Sequence, residues 1–267
     1  MNKFTTDDLT LNKLLLDKEV IFKMPINQRK YSWKKEQVEQ YWEDIIKTID
    51  DDSARHYLGV ISLINNEKLE INTVKYEVID GQQRLITTLL FIAALRDCLI
   101  NKGDIKAAEK IQDNYLEVVI KKKKYAKLTS SKLDSYTFDS IVNINEVTDE
   151  IDFRNVQITD EEPINENIIK AYKLFYNNIL ELCERKSNDI DEQLERLDDV
   201  QNLLLKIEII QVISDNISNM FLYFDSLNSR GLQLNQMDII RNNFFRVISD
   251  KFSDKIKSYG EMWTTLF

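Results

Sequence analysis

The amino-acid sequence predicts an α/β (α+β) protein with a small mixed β-sheet and a large helical portion. Short β-branched apolar runs alternate with helical patterns over residues 1–102, which we interpret as a core carrying the polar motifs. Residues 103–267 are mainly helical in pattern, with one strand predicted near residues 203–213, and we expect them to pack on the core. The chain has 267 residues and is 43% hydrophobic, enough for a sizeable interior.

The first fifty residues predict two helices that flank a short strand. Leucines recur on one side of the segment from Thr6 to Leu16, which favours a first helix. The run Val20-Ile21-Phe22 is typical of a short strand, and Pro25 marks a turn or a sheet edge because proline has no N–H to donate. Ser32 suits the N-cap of a second helix that continues to Ile49.

A hairpin and a long helix complete the predicted core. The segments from Tyr57 to Ile64 and from Val74 to Ile79 are β-branched and separated by a polar turn, so we expect them to pair. An apolar helix is predicted from about Gln83 to Asn101, and Gly103 suits its C-terminal cap.

Composition limits the classes of function. The net charge is -9 and the pI about 4.9, which argues against indiscriminate binding to duplex DNA but leaves a local basic surface open. The run Lys121 to Lys124, followed by Lys127 and Lys132, is the main basic cluster; it is either a solvated edge or a nucleic-acid contact.

Cysteine and histidine are too scarce for a zinc site. Cys98 and Cys183 lie far apart in apolar helical patterns and are expected to be buried free thiols, and His56 is the one histidine. No apolar run reaches the length needed to span a bilayer, and no signal peptide is recognisable, so we expect a cytoplasmic protein without a membrane partner.

The stretch from Asp80 to Arg84 carries the strongest functional signal. An apolar strand runs into Asp80-Gly81-Gln82-Gln83-Arg84, and an apolar helix leaves it. The N–H groups that open such a helix suit an anion, phosphate above all, and Arg84 adds a guanidinium. Asp80 is a candidate metal ligand or water-orienting group, while Gln82 and Gln83 are candidates to position a water or read a base edge. The alternative is a polar turn in which Arg84 pairs with Asp80; the stretch is not a Walker A loop.

Two further groups are candidate nucleotide-binding residues. Gln28, Arg29 and Tyr31 precede Trp33; Arg29 could clamp phosphate and the aromatic rings could stack on a base, or the rings could belong to the core. Thr87 is also a candidate, although its position fits a helix interior. The last group comprises Asn228, Arg230, Gly231 and Asp238, which either close the pocket or form a helix cap and a turn.

Three blocks together resemble one family. They are Pro25 to Trp33, Val78 to Arg84, and Phe224 to Gly231 with Asp238, and Tyr57-Leu58-Gly59 lies between the first two. In order and spacing they are similar to the N-terminal DGQQR-motif domain of GmrSD-type, modification-dependent (type IV) restriction enzymes. The resemblance covers nearly the whole chain and implies a ParB/sulfiredoxin-like core.

The resemblance also implies a function. Such domains bind and hydrolyse nucleoside triphosphates with Mg²⁺ or another divalent cation, in bacterial defence against phage, and some sense modified DNA. Asp80, Gln83 and Arg84 would then be the catalytic residues, with Asp80 as the metal ligand. A His-Asn-His-type nuclease domain would lie C-terminal or on a separate chain, so we expect no nuclease activity from this chain alone. The alternative is a nucleotide or modified-DNA sensor without turnover.

Overall fold

The computed structural model describes residues 4–25, 28–68, 73–143, 164–216 and 220. The strands are β1 (Phe4–Thr10), β2 (Val20–Lys23), β3 (His56–Lys68), β4 (Val74–Asp80), β5 (Glu117–Ile120), β6 (Lys123–Ala126), β7 (Leu128–Thr129) and β8 (Ile207–Ser214). The helices are α1 (Leu11–Leu16), α2 (Lys35–Ile46), α3 (Gln82–Asn101), α4 (Ile105–Ile111), α5 (Ser135–Val142), α6 (Glu166–Lys186) and α7 (Ile190–Lys206), and a π-helical turn spans Gln112–Leu116.

Six of these strands form one mixed sheet in the order β1-β8-β3-β4-β2-β7. The pairs β1–β8 and β3–β4 are antiparallel, whereas β3–β8, β2–β4 and β2–β7 are parallel. The remaining pair, β5 and β6, forms a separate antiparallel hairpin. The predicted α/β class, with a mixed sheet and a large helical portion, is confirmed.

Helix α3 is the centre of the helical layer. Nearly all of its side chains are buried, as expected for a helix that is apolar on every side. Aromatic rings from three helices meet beside it: the centroids of Phe91 and Phe175 are 5.6 Å apart, and Trp42 lies 6.4 Å from each. This packing holds the middle of α3 against α2 and α6.

The predicted first helix is wrong over its N-terminal half. Phe4–Thr10 is a strand that pairs with β8, and the helix begins only at Leu11. The Thr10 hydroxyl accepts a hydrogen bond from the Lys13 N–H at 3.2 Å and caps that helix. Leucine spacing alone could not reveal that β8 would offer an unpaired edge to this segment.

Two other elements have boundaries that differ from the prediction. Helix α2 begins only at Lys35, because the Ser32 N–H is bonded to the Gln83 side chain and the chain there stays extended; it ends at Ile46 and not at Ile49. The predicted strand from residue 203 begins only at Ile207, because α7 continues through Lys206, whose ammonium binds carbonyls just after α2, including that of Thr48 at 2.8 Å.

The division into residues 1–102 and 103–267 remains a prediction, but the two parts share one sheet. Strand β8 lies between β1 and β3, and β7 lies at the far edge beside β2. Cys98 and Cys183 are both buried free thiols, as expected. None of the helices in the described ranges combines the length and apolar character needed to cross a membrane.

Candidate functional site

Gly81 forms the junction between β4 and α3. Its φ is +89°, in the left-handed region that favours glycine. A Cβ here would lie 3.0 Å from Cγ1 of Ile61 and 3.1 Å from the carbonyl oxygen of Val60. The turn is therefore pressed against β3, and only glycine lets the chain enter the helix within one residue of the strand.

Arg84 is the third residue of α3 and reaches back across this junction. Its Nη2 is 3.3 Å from Oδ2 of Asp80, and its Nη1 donates to the carbonyl of Leu58 at 3.2 Å. Both charged side chains keep about a quarter of their surface exposed, at 24% for Arg84 and 30% for Asp80. The pairing that sequence analysis gave as the alternative thus exists, and it leaves the guanidinium accessible.

Gly59 provides the space that Arg84 occupies. Its φ is +117°, and a Cβ there would stand 2.0 Å from Nη1 of Arg84. The pairing of β3 with β8 is irregular between Tyr57 and Gly59, so the strand bulges where the guanidinium approaches. Gly59 lies between two of the sequence motifs and has no role in the prediction from sequence. The signal for one is a glycine inside a β-branched run, in a chain with only five glycines.

Asp80 has a perturbed acidity. Burial raises the pKa of its carboxyl group, and the charge of Arg84, a hydrogen bond from the Gly81 N–H and the charge of Arg29 offset part of that rise. Arg29, an exposed residue, is therefore close enough to act on the same carboxylate. Two predicted phosphate-binding arginines and the predicted metal ligand thus belong to one site.

The donor set fits a magnesium ion only as part of a metal–nucleotide complex. Asp80 is a single carboxylate, and the described ranges contain no group of three histidine, cysteine, aspartate or glutamate residues able to hold a metal. Mg²⁺ in nucleotide enzymes is commonly bound through one or two carboxylates together with substrate phosphates and waters. One carboxylate beside a helix N-terminus suited to phosphate is compatible with that requirement.

Gln83 faces the segment that precedes α2. Its Oε1 accepts hydrogen bonds from the N–H groups of Ser32 at 2.8 Å and Trp33 at 3.3 Å, and its Nε2 donates to the carbonyl of Lys30 at 3.4 Å. The amide is thus occupied by backbone groups. This arrangement does not present it to a water or a base; it ties residues 30–33 to the first turn of α3.

Gln82 and Gln28 are also used structurally. Nε2 of Gln82 donates to the carbonyl of Val78 at 2.9 Å, and Nε2 of Gln28 donates to that of Ile79 at 3.3 Å. Both side chains are buried. They hold the end of β4 and the segment carrying Arg29 in register with each other.

Tyr31 and Thr87 lie in the interior. Each is fully buried; the two hydroxyls are 2.8 Å apart, and Thr87 also donates to the carbonyl of Gln83. Burial raises the pKa of the Tyr31 phenol. Their proximity to the motif is as predicted, but as placed neither side chain reaches a ligand at the surface.

Two polar residues that sequence analysis missed anchor the same segment. Asp134 is buried, and its Oδ2 accepts from the Tyr31 N–H at 2.8 Å while its Oδ1 accepts from Nδ2 of Asn165 at 2.7 Å. Asn165 also donates to the Tyr31 carbonyl at 2.9 Å. No local pattern marks these residues, because Tyr31 lies 103 positions from Asp134 and 134 positions from Asn165.

A groove lies beside this segment, between α2 and α6. Its volume is about 440 Å³. The lining includes Trp33, Val38, Ala171 and Leu174, the lysines Lys34, Lys35, Lys170 and Lys173, and the polar residues Glu39, Asn167, Asn177 and Asn178. Because the N–H of Trp33 is held by Gln83, one wall of the groove is connected to the DGQQR turn.

The predicted residues Asn228, Arg230, Gly231 and Asp238 lie outside the described residues.

The site thus joins a helix N-terminus, two arginines and one carboxylate around a glycine-lined turn, which is suited to a charged, phosphate-bearing ligand. The comparison with known families agrees with the motif resemblance. The family described as the N-terminal domain of the GmrSD restriction endonuclease matches residues 11–245, which span all the elements of this site. No curated protein matches the chain. The chain therefore belongs to the GmrSD restriction endonuclease N-terminal domain family and serves a restriction system that defends against viruses.

Proposed function

We propose that this domain binds a nucleoside triphosphate at the turn from Asp80 to Arg84 and hydrolyses it. The observation that carries the proposal is the position of the Arg84 guanidinium, which lies against Gly59 at the N-terminus of α3. Backbone N–H groups of the first helical turn and a guanidinium are the donors that phosphate oxygens require. The family supplies the restriction setting, and the geometry supports phosphate as the ligand.

A bound phosphate would replace Asp80 as the partner of the Arg84 guanidinium. A partly exposed ion pair such as theirs contributes only about 1 kcal/mol or less, so a multiply charged phosphate can displace it. Arg29 would add a second cation, since its charge already acts on Asp80. Clustered positive charge that meets the charge developing on phosphate is the main source of catalysis in phosphoryl transfer.

Asp80 would then be free to orient or deprotonate the attacking water. Burial raises the pKa of its carboxyl group, which makes the carboxylate a better base than an exposed aspartate. The alternative role of Asp80 is that of protein ligand to Mg²⁺ bound with the triphosphate, which would supply neutralisation of phosphate charge. Gln83 would act as a positioning residue, because its amide holds Ser32 and Trp33 and not the reacting groups.

A sensor without turnover is the second candidate function. It is favoured by one observation: the amide of Gln83, the predicted water-positioning group, is already bonded to three backbone groups. In that case the bound nucleotide, or modified DNA, would shift the position of residues 30–33. That shift would be the signal to a nuclease domain elsewhere. The same ligand contacts serve both functions, so turnover separates them.

The test compares phosphate release and nucleotide binding for the unaltered chain, Arg84→Ala and Arg185→Ala. Arg185 is exposed on α6 and pairs with Glu181, so its removal matches the charge change without touching the site. We expect multiple turnovers with Mg²⁺ from the unaltered chain and from Arg185→Ala, and a loss of about 10²-fold or more in Arg84→Ala. Tight binding with no release supports the sensor. Equal turnover in all three proteins removes Arg84 from the mechanism.

A further inference from the structure

Strands β5 and β6, with the turn between them, form a basic hairpin that comprises residues 117–126. Ile120 pairs with Lys123 and Val119 with Lys124, so Lys121 and Lys122 are the two turn residues. The hairpin lies outside the six-stranded sheet and is followed directly by the edge strand β7. Its tip therefore consists of four consecutive lysines.

The turn is built from residues that do not favour its conformation. Lys121 has a φ of +47° and Lys122 a φ of +65°, which is the left-handed region at both turn positions. Two-residue hairpin turns of this kind favour asparagine–glycine or aspartate–glycine, since other side chains are strained there. Lysines at both positions break this local preference, and such violations are expected where function requires a particular side chain.

The lysines of the cluster have different environments. Lys124 is held by Glu117, with Nζ 2.9 Å from Oε2, and Lys127 is fully buried beneath β2. Lys121, Lys122 and Lys123 are exposed. Within the described ranges, neither Lys122 nor Lys123 forms an ion pair. Lys122 and Lys123 thus place exposed positive charge at the tip.

Exposed apolar surface accompanies this charge. Val119 is 57% exposed and Tyr125 40% exposed, although both lie in a regular hairpin. The chain as a whole carries a net charge of -9, so a hairpin tip with exposed lysines is a local positive surface that a polyanion could approach. Charge, an aromatic ring and a narrow shape occur together here.

We propose that the basic hairpin is a contact for duplex DNA, with Lys121, Lys122 and Lys123 on phosphates and the ribbon in the major groove. A two-stranded β-ribbon fits the major groove of B-DNA, which is about 12 Å wide. The proposal rests on the restriction role of the family and is independent of triphosphate hydrolysis. Of the two interpretations that the sequence left open for this cluster, it takes the nucleic-acid contact.

The test uses a double variant that removes positive charge from the turn but is expected to keep or raise the stability of the fold. Lys121→Asn with Lys122→Gly removes two charges and installs the residues that the turn prefers. Binding of a short labelled duplex is followed by fluorescence anisotropy at several salt concentrations, without nucleotide or metal. We expect about tenfold weaker binding or more, a slope of log K against log salt smaller by about 2, and an unchanged or higher denaturation midpoint.

Lys106→Gln with Lys110→Gln is the matched control, because both lysines are exposed on α4 and the net charge change is the same. This control should retain most of the affinity. The proposal is overturned if the hairpin variant binds duplex as tightly as the unaltered chain, or if the control variant loses as much affinity as the hairpin variant. It is also overturned if the unaltered chain prefers a single strand of the same sequence, or if it fails to bind duplex at low salt. Since no nucleotide is present, none of these outcomes depends on hydrolysis.

Discussion

Replacing Gly59 with alanine should displace the Arg84 side chain without changing any residue of the DGQQR sequence. The added Cβ would stand 2.0 Å from Nη1 and 3.3 Å from Cζ of Arg84, so the guanidinium has to move away. It would then lose its hydrogen bond to the Leu58 carbonyl and its contact with Asp80. Displacing a catalytic group by about 1 Å can cost about 10²-fold in rate.

The stability cost has two parts. Alanine at a positive φ costs roughly 1–2 kcal/mol. Loss of a hydrogen bond to a charged group costs about 1.5–3 kcal/mol more. Gly103→Ala separates the two, because Gly103 has a φ of +85° and a Cβ there would meet nothing within 4 Å. Gly103→Ala should therefore show the first cost alone.

The assay pairs urea unfolding with nucleotide binding and phosphate release for both variants. We expect Gly59→Ala to be less stable than Gly103→Ala by about 1.5–3 kcal/mol. Turnover should fall by about 10²-fold in Gly59→Ala alone. If the two variants match in stability and both keep full turnover, the approach of Arg84 to Gly59 has no energetic or functional weight, and our account of the site fails.

Two further predictions concern residues around the site and the sheet. Gln83→Ala should speed hydrogen exchange at the amides of Ser32 and Trp33, which lose their acceptor, but not at Tyr31, whose amide is held by Asp134; uniform acceleration would contradict a local tether. Burial lowers the pKa of Lys127 to about 7, so the folded chain releases a proton that the unfolded chain keeps until about 10.5. The free energy of unfolding should then rise between these values, by up to about 1.4 kcal/mol per pH unit, and this rise should be absent in Lys127→Met. The free energy of unfolding is measured with urea at pH 6, 7.5 and 9 for both proteins. If it changes equally with pH in the two, Lys127 stays charged in the fold.

The parts of the fold that sequence analysis predicted correctly are those with local causes. The β3–β4 hairpin, the buried helix α3 and the glycine between β4 and α3 each follow from periodicity or turn chemistry within a few residues. The same holds for the pairing of Asp80 with Arg84, which are four positions apart across the turn from β4 to α3. Short-range rules are sufficient wherever both partners lie within the same window.

Long-range packing decided the rest. Gly59 accommodates Arg84 from 25 positions away, and Asp134 holds the Tyr31 amide across 103 positions. The run of lysines shows the same limit: Lys122 is exposed at a hairpin tip while Lys127 is fully buried, although the two are close in sequence and chemically identical. Side-chain type sets which contacts a residue can make, but burial and partners depend on which distant strand or helix packs against it.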